Sequence, residues 1–333
     1  MTLKLRVGLT VLAILVQTSR SPAAERLVGV QSARVMSQSM PWIAEETGIF
    51  RKYNLEFPLV YIGSSPLATA AMLGGEAQLL VDGGLGTVRA AVQGNTDLVF
   101  VAGVKNYLTQ SILAKADVKR LEDLRGKKIG VTRIGSTTHY FVVQAFKRRN
   151  MEVGRDYAII QTGGAPEMFA ALVSGTLDAG TMTAPWDTRA IAQGYHYVVY
   201  GPDLKIPQVA VSFITRRSFI ARNSAAIGQF LRAMAEAAKV LHTDKETTFK
   251  VLAKYLRVDD RKILEAGYNA EIKALEPRLD LKLDAVQAIL DDITPSDPRA
   301  KTIKPQALFD RQFVDEMEKS GFMDKLWAGA ALR

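Results

Sequence analysis

Residues 63–94 of this chain are echoed, one hundred positions later, by residues 163–194. Gly63, Pro66, Ala70, Ala71, Gly75, Arg89, Ala90, Gln93 and Gly94 recur without a gap as Gly163, Pro166, Ala170, Ala171, Gly175, Arg189, Ala190, Gln193 and Gly194. Average composition would give about two or three identities in such a window. Upstream the echo continues with a small slip: Asn54-Leu55-Glu56 answers Asn150-Met151-Glu152, and Gly29-Val30 answers Gly130-Val131. Because the matches lean on Gly and Ala, coincidence is the competing explanation. A true repeat constrains the chain to two similar α/β lobes, and the cleft between such lobes is a preferred place for a small molecule.

The local pattern agrees with that division. Leu27 to Val30 reads as a strand. A polar loop, Gln31 to Ser39, leads into a helix from Met40 to Phe50 with Pro41 in its first turn, where proline is tolerated. Leu59 to Ile62 reads as a second strand, Leu67 to Leu73 as a helix stopped by Gly74-Gly75, and Leu79 to Val81 as a third strand. The order returns as strand Lys128 to Val131, helix Thr137 to Arg149, strand Ala158 to Gln161, helix Glu167 to Val173 and strand Ala179 to Met182. Helices alternating with buried strands predict a mainly parallel sheet in each lobe. Chain crossings between lobes are expected at Val99 to Val104 with Lys105-Asn106, and again near Ile206 to Ile214. Beyond Ser224 the chain reads as helix, with Ile227, Phe230, Leu231, Met234, Ala238 and Leu241 on one face. These helices are expected to pad the first lobe. Thr243 with Glu246 has the spacing of a capping box, and Thr294 to Pro305 reads as a surface loop.

The first 24 residues have the parts of a secretory signal: Lys4 and Arg6, the apolar run Val7 to Val16, and the small residues Ser21, Ala23 and Ala24. That run is too short to cross a bilayer as a helix, which needs roughly 20 apolar residues. The chain has no cysteine, so about 310 residues after the signal are expected to be held by core burial without disulfides. With no thiol to carry a lipid, the expected location is free in a periplasm. The formal charge of +9 includes Lys4, Arg6 and Arg20, which leaves +6 on the remainder. Lys and Arg are scattered and form no basic stripe with interleaved aromatics, so a nucleic-acid partner is not expected.

Several segments could carry chemistry. Ser136-Thr137-Thr138 follows a strand and opens a helix, which offers free N–H groups and hydroxyls to a carboxylate, sulfonate or phosphate. Ordinary N-capping explains the same residues without a ligand. Asp82-Gly83-Gly84-Leu85-Gly86 lacks the G-x-G-x-x-G spacing, because Arg89 stands where the last glycine is needed. There the glycines could let backbone approach a ligand while Asp82 accepts its hydrogen bonds, or Asp82 could cap the helix that follows. Trp42, Tyr107, Tyr140 and Trp186 could wall a cleft or fill the core. His139, His196 and His242 are far apart in the sequence, and no G-x-S-x-G is present, so no nucleophile, metal site or cofactor is expected.

Four stretches resemble a known family: Pro41-Trp42-Ile43-Ala44 through Glu46-Thr47-Gly48-Ile49-Phe50 with Asn54-Leu55; Leu73 to Gln78; Asp123-Leu124-Arg125-Gly126-Lys127-Lys128-Ile129-Gly130-Val131; and Val173 to Ala179. They look like landmarks of the periplasmic substrate-binding proteins of the nitrate, sulfonate, taurine and thiamine-precursor group, the NMT1/THI5-like proteins. The likeness spans about residues 27 to 260, and Asp123 to Val131 is its most specific part. It implies an α/β, type II periplasmic-binding fold: two Rossmann-like lobes, a two-segment hinge and a helical C-terminal tail. The implied division is a signal at 1–24, a first lobe at 25–104 with 210–333, and a second lobe at 105–209. Carried over by position, the family's ligand loops fall at Ser37, Gln38, Ser39 and Met40; at Gly63, Ser64 and Ser65; at Asp82, Gly83 and Gly84; at Ser136, Thr137 and Thr138; at Gly163 and Gly164; and at Pro185 and Trp186. Asn106, at the first crossing, joins that set.

The resemblance implies a monomer that binds a small anionic or aromatic-polar solute and passes it to an inner-membrane ABC permease. A ligand-sensing receptor on the same fold is the alternative. The group's thiamine-pyrimidine enzymes look to need a cysteine-rich motif, which a chain without cysteine cannot supply.

Overall fold

The computed structural model describes residues 24–330. The expected signal, apart from Ala24, lies outside the described residues.

In the first part of the chain the strands are β1 (Glu25–Arg26), β2 (Gly29–Gln31), β3 (Leu55–Glu56), β4 (Leu59–Tyr61), β5 (Leu79–Asp82) and β6 (Leu98–Tyr107). Then come β7 (Ser111–Ala114), β8 (Lys128–Val131), β9 (Ala158–Gln161), β10 (Ala179–Met182), β11 (His196–Val199) and β12 (Pro207–Arg216). β1 and β3 form a short parallel pair. The remaining strands make two five-stranded sheets, β4-β2-β5-β12-β6 and β9-β8-β10-β7-β11. In each sheet the first three strands are parallel, and the fourth, β12 or β7, pairs antiparallel with its neighbours on both sides.

The sequence echo is an echo in space. Helices Ser65–Leu73 and Ala165–Val173 lie one hundred residues apart, as do β5 and β10, and each helix has a proline in its first turn. Gly75 (φ 83°) and Gly175 (φ 79°) end them in the left-handed region, where a side chain would be strained. Even the slipped pair is matched, because Asn54 and Asn150 both have φ 53°.

The chain passes from the first sheet to the second after β6 and returns at β12. These two long strands pair antiparallel, with Lys105 opposite Val211 and Tyr107 opposite Pro207. Two adjacent crossings allow rotation of one lobe on the other while each sheet stays intact.

The tail covers both faces of the first sheet. Helix Arg217–Thr243 buries Ile227, Phe230, Leu231, Met234, Ala238 and Leu241 as its periodicity predicts. Phe230 meets Phe57 and Phe213 at centroid distances of 4.9 and 5.3 Å. Helix Leu283–Ile293 covers the opposite face, with Val286, Ile289 and Leu290 packed in the cluster that holds Phe100 and Ile214. The tail also reaches the second lobe, which the sequence did not suggest: helix Arg261–Glu271 packs on helix Trp186–Ala192.

Some local expectations are corrected. The helix expected over Met40 to Phe50 is two pieces, Met40–Glu46 and Ile49–Lys52, broken where Gly48 adopts φ 73°. The cap of helix Lys245–Leu256 is Asp244, whose carboxylate accepts from the Thr247 N–H at 3.0 Å. Thr243 instead ends the previous helix and donates to the Lys239 carbonyl. The proline-rich segment Thr294 to Pro305 contains the 3-10 turn Pro298–Thr302, whose Ala300 is buried.

Candidate functional site

A cavity of about 60 Å³ lies between the lobes. Its walls come from the carboxyl ends of the parallel strands and the helix starts that follow them, where open α/β sheets bind ligands. The first lobe contributes Ser32 after β2, Ser37 and Gln38 from the turn Met36–Gln38, Ser64 and Ser65 at a helix start, and Asp82-Gly83 at the end of β5. The second lobe contributes Thr132, Ser136, Thr137 and Thr138 around the start of helix Thr137–Lys147, with Thr181 and Thr183 at the end of β10. Lys105 and Val211, from the crossing strands, close the back.

The lobes are shut on this cavity. The Trp186 indole N–H donates to the Arg34 carbonyl at 2.8 Å, the Met36 N–H to the Ala184 carbonyl at 3.2 Å, and Arg89 Nη1 to the Gly135 carbonyl at 3.3 Å. Gly83 is one of the close approaches: a Cβ there would stand 2.6 Å from Thr137 Oγ1 of the opposite lobe. Glycine at this position is therefore a requirement of closure.

The lining is polar and partly unpaired. Asp82, 1% exposed, accepts the Ser65 hydroxyl on Oδ1 at 2.7 Å, while its Oδ2 has no partner within the protein. Ser64 Oγ, Thr181 Oγ1 and the amide oxygen of Gln110 are likewise buried without a protein partner. Buried polar atoms are nearly always paired, and these four belong to residues around one cavity. Burial pushes the Asp82 carboxyl up to about 6, although the hydroxyls of Ser32 and Ser65 and the Gly83 N–H favour its charged form.

At the back wall Lys105, 1% exposed, is held by the Glu271 carboxylate and by Thr109 Oγ1 at 2.7 Å. Glu271 also accepts the hydroxyls of Thr109 and Thr183, both at 2.9 Å. This buried pair joins β6, the crossing, the second lobe and the tail helix. Close by, burial and the Glu271 charge push Asp187 up to about 6.

Of the residues expected from sequence, Ser37, Gln38, Ser64, Ser65, Asp82, Gly83, Ser136, Thr137 and Thr138 line the cavity together. Ser136 also caps its helix, accepting the His139 N–H at 3.3 Å, so both readings of that loop hold geometrically. Asp82 ends a strand and caps no helix; Gly84 is the N-cap of Leu85–Val92.

The other candidates do not reach the cavity. Met40 is core, and Ser39 is buried at the start of helix Met40–Glu46. Gly84 packs under Val209. The Asn106 side chain points away, to Glu276, the Asp280 carbonyl and the Lys282 N–H. Gly163 and Gly164 abut Gly63 and Tyr61 on the rim. Pro185, joined to Ala184 by a cis bond, and Trp186 belong to the closure contact outside the cavity. Trp42 is a core residue that donates to Gln31 and stacks on Tyr255 at 5.1 Å. Tyr107 and Tyr140 also lie off the lining, which contains no aromatic ring among the described residues. An aromatic-walled cleft is therefore not what this sequence builds.

Sequence reasoning missed Lys105, Gln110, Thr181, Thr183 and Glu271. Two signals were present. Lys105 is a cation placed directly after the apolar run Leu98–Val104, and the repeat aligns Thr183 with Gly83.

The sequence profile of the NMT1-like family matches residues 36–257. A protein of Brucella abortus (strain 2308), provisionally named a binding protein, is 23% identical over 253 residues, covering 74% of this chain and 76% of its own length. A solved structure from Bordetella bronchiseptica RB50 superposes with a TM-score of 0.79 at 18% identity, covering 89% of this chain and 98% of that one. The alkanesulfonate-binding protein SsuA from Xanthomonas axonopodis pv. citri, bound to MOPS, gives 0.70 at 20% identity, covering 87% and 99%. The fold also occurs in an enzyme, since the desulfurization enzyme DSZB gives 0.66 at 13% identity, covering 89% and 99%. Two sheets with one topology, a double crossing, a shut polar cavity and a profile match over most of the chain agree, and the chain belongs to the NMT1-like family with the periplasmic-binding-protein fold.

Proposed function

We propose that this chain is an exported solute-binding protein, which captures a small polar solute between its lobes and delivers it to an ABC permease in the inner membrane. The observation that carries the reading is the inter-lobe cavity, four of whose lining residues, Asp82, Ser64, Gln110 and Thr181, carry a buried polar atom with no partner in the protein. At about 60 Å³, and 10–15 Å³ for each water centre, the shut cavity suits a guest of a few non-hydrogen atoms. The bodies that move are the lobe at 25–104 with 210–333 and the lobe at 105–209, turning about the paired strands β6 and β12. Closure is favoured because only the shut form lets both lobes touch the solute. Its lining hydroxyls and helix starts hold and orient a guest, and the permease then takes it from the opened cleft. Pull-down of the permease from inner membranes by solute-loaded protein, absent without solute, tests the delivery step.

Capture is tested by thermal unfolding of residues 25–333 against nitrate, methanesulfonate, small carboxylates, amino acids and small amines, after stripping by unfolding and refolding. A solute at 100 times its Kd adds about 2.7 kcal/mol, a shift of a few degrees. Melting that no member of the panel moves would overturn the reading.

Gly83→Ala probes closure itself. The added methyl falls 2.6 Å from Thr137 Oγ1, far closer than its contacts with the crossing strand β12, 3.3 Å from the Ala210 carbonyl oxygen and 3.4 Å from that of Val209. Solute affinity is expected to fall about tenfold or more, roughly 1.4 kcal/mol. Calorimetry with the stabilising solute reads this, and wild-type affinity in the variant contradicts a shut binding state.

A further inference from the structure

The charges in the cavity are unbalanced in a way that selects the solute. Among the described residues of the lining the charged side chains are Asp82 and Lys105. Lys105 is already matched by Glu271, whose carboxylate it contacts directly, so it offers no net positive charge to a guest. Asp82 has no cation beside it. Its one partnered oxygen takes the Ser65 hydroxyl, its other oxygen is buried without a protein partner, and the residue belongs to the cavity wall. Resting on the solute-binding reading above, we infer that the solute is a small polar amine whose ammonium N–H donates to Asp82 Oδ2.

An ammonium supplies both missing things, a donor and a positive charge, whereas a simple anion would bring like charge to an unpaired carboxylate. Ser64, Thr137 and Thr181 hydroxyls can serve the rest of the molecule as donors or acceptors, because each hydroxyl does both. A carboxylate or hydroxyl on the same small molecule would meet the start of helix Thr137–Lys147, a helix of 11 residues. The chain thereby differs in expected cargo from relatives named for sulfonate, on the ground of its own charges.

Acidity gives a second handle. The groups facing the Asp82 carboxyl are the Ser32 and Ser65 hydroxyls and the Gly83 N–H; uncharged Ser212 is its register partner on β12, and uncharged Thr137 lines the cavity across the cleft. Lys105, on β6, is the remaining titratable side chain of the lining and is bound to Glu271. A proton on Asp82 competes with an ammonium and removes the objection to an anion. Lowering the pH through about 6 therefore weakens an amine and strengthens an anion.

The test uses matched probes by calorimetry and melting on stripped protein: ethylammonium, ethanolamine and β-alanine against propionate, methanesulfonate and nitrate. The expected result is at least tenfold tighter binding of the amine-bearing members, lost in Asp82→Asn and weakened in the wild type between pH 7.5 and 5. Equal or tighter binding of the amine-free anions, or an affinity that rises on acidification, overturns the inference and leaves solute capture standing. A panel that is flat for both halves overturns capture, and this inference with it. Should Asp82→Asn fail to fold, the wild-type pH series decides alone.

Discussion

Replacing Glu271 with alanine is expected to destabilise the protein by about 3–5 kcal/mol, because removing one partner leaves the Lys105 ammonium buried without its counter-charge. Lys105 and Glu271 are 1% and 3% exposed at their side chains, so solvent cannot take over the lost role. The loss is larger than that of an isolated pair, since Thr109 and Thr183 also give their hydroxyls to this carboxylate. Lys105→Met should cost a similar amount for the mirrored reason. The double variant Lys105→Met, Glu271→Leu should recover much of the loss, as buried pairs replaced together by apolar groups are often near neutral. Urea unfolding of the four proteins measures this cycle. Additive losses in the double variant would mean that the residues act separately and that the network is not a pair. The network sits at the crossing and holds Thr183 of the second lobe, so solute affinity in the single variants should fall with stability.

Asp82→Asn is expected to move stability in the opposite direction. The carboxyl stands at about 6 in the folded chain against 3.8 for an ordinary aspartate. A raised value means that the folded state holds the proton more tightly than the unfolded state. The stability tied to that proton is complete below about pH 4 and is lost as pH rises through about 6. At pH 7.5 the full penalty is present, on the order of 3 kcal/mol at about 1.4 kcal/mol for each pKa unit. Asparagine keeps the shape and drops the charge, so the variant should be up to about 3 kcal/mol more stable at pH 7.5 and about equal to the wild type at pH 4. Asp187, also at about 6, adds a slope of the same sign in both proteins and cancels in the difference. Denaturation across pH 4–8 checks this, and a variant less stable than the wild type at pH 7.5 contradicts it. Higher stability with weaker amine binding would show that the buried carboxylate is retained for the solute and at a cost to the fold.

The repeat made the architecture readable because each lobe reuses the same local instructions. Pro66 and Pro166 start equivalent helices, Gly75 and Gly175 end them, and Asn54 and Asn150 make the same left-handed turn. Strands that sit between helices of their own unit were legible for this reason. β7 and β11 were not, since β7 pairs antiparallel with β10 and β11, strands far along the chain and outside any strand-helix-strand unit that contains it. In the site, the loops at strand ends that carry Ser64, Asp82 and Thr137 meet at one cavity. The exchange of Lys105 for Asn106 has a simple cause: neighbours in a strand face opposite sides, so a one-residue slip moves a side chain from the cavity to the far face. Asn106 accordingly meets Lys282, while Lys105 lines the cleft. Glu271 could not be placed from sequence, as its contact with Lys105 spans 166 residues of chain. Residue type left open whether the tryptophans wall a cleft or fill the core; Trp42 fills the core and Trp186 spends its N–H on closure.

The account rests on two lobes that shut around a solute, and solution scattering tests that most directly. Stripped protein, residues 25–333, would be compared with the same sample at a saturating concentration of whichever solute raises its melting temperature. The expected result is a smaller radius of gyration with solute, and a profile that fits the shut arrangement in which Trp186 meets Arg34 and Thr137 meets Gly83. An identical profile in the two samples, with binding confirmed by calorimetry, would contradict capture by closure.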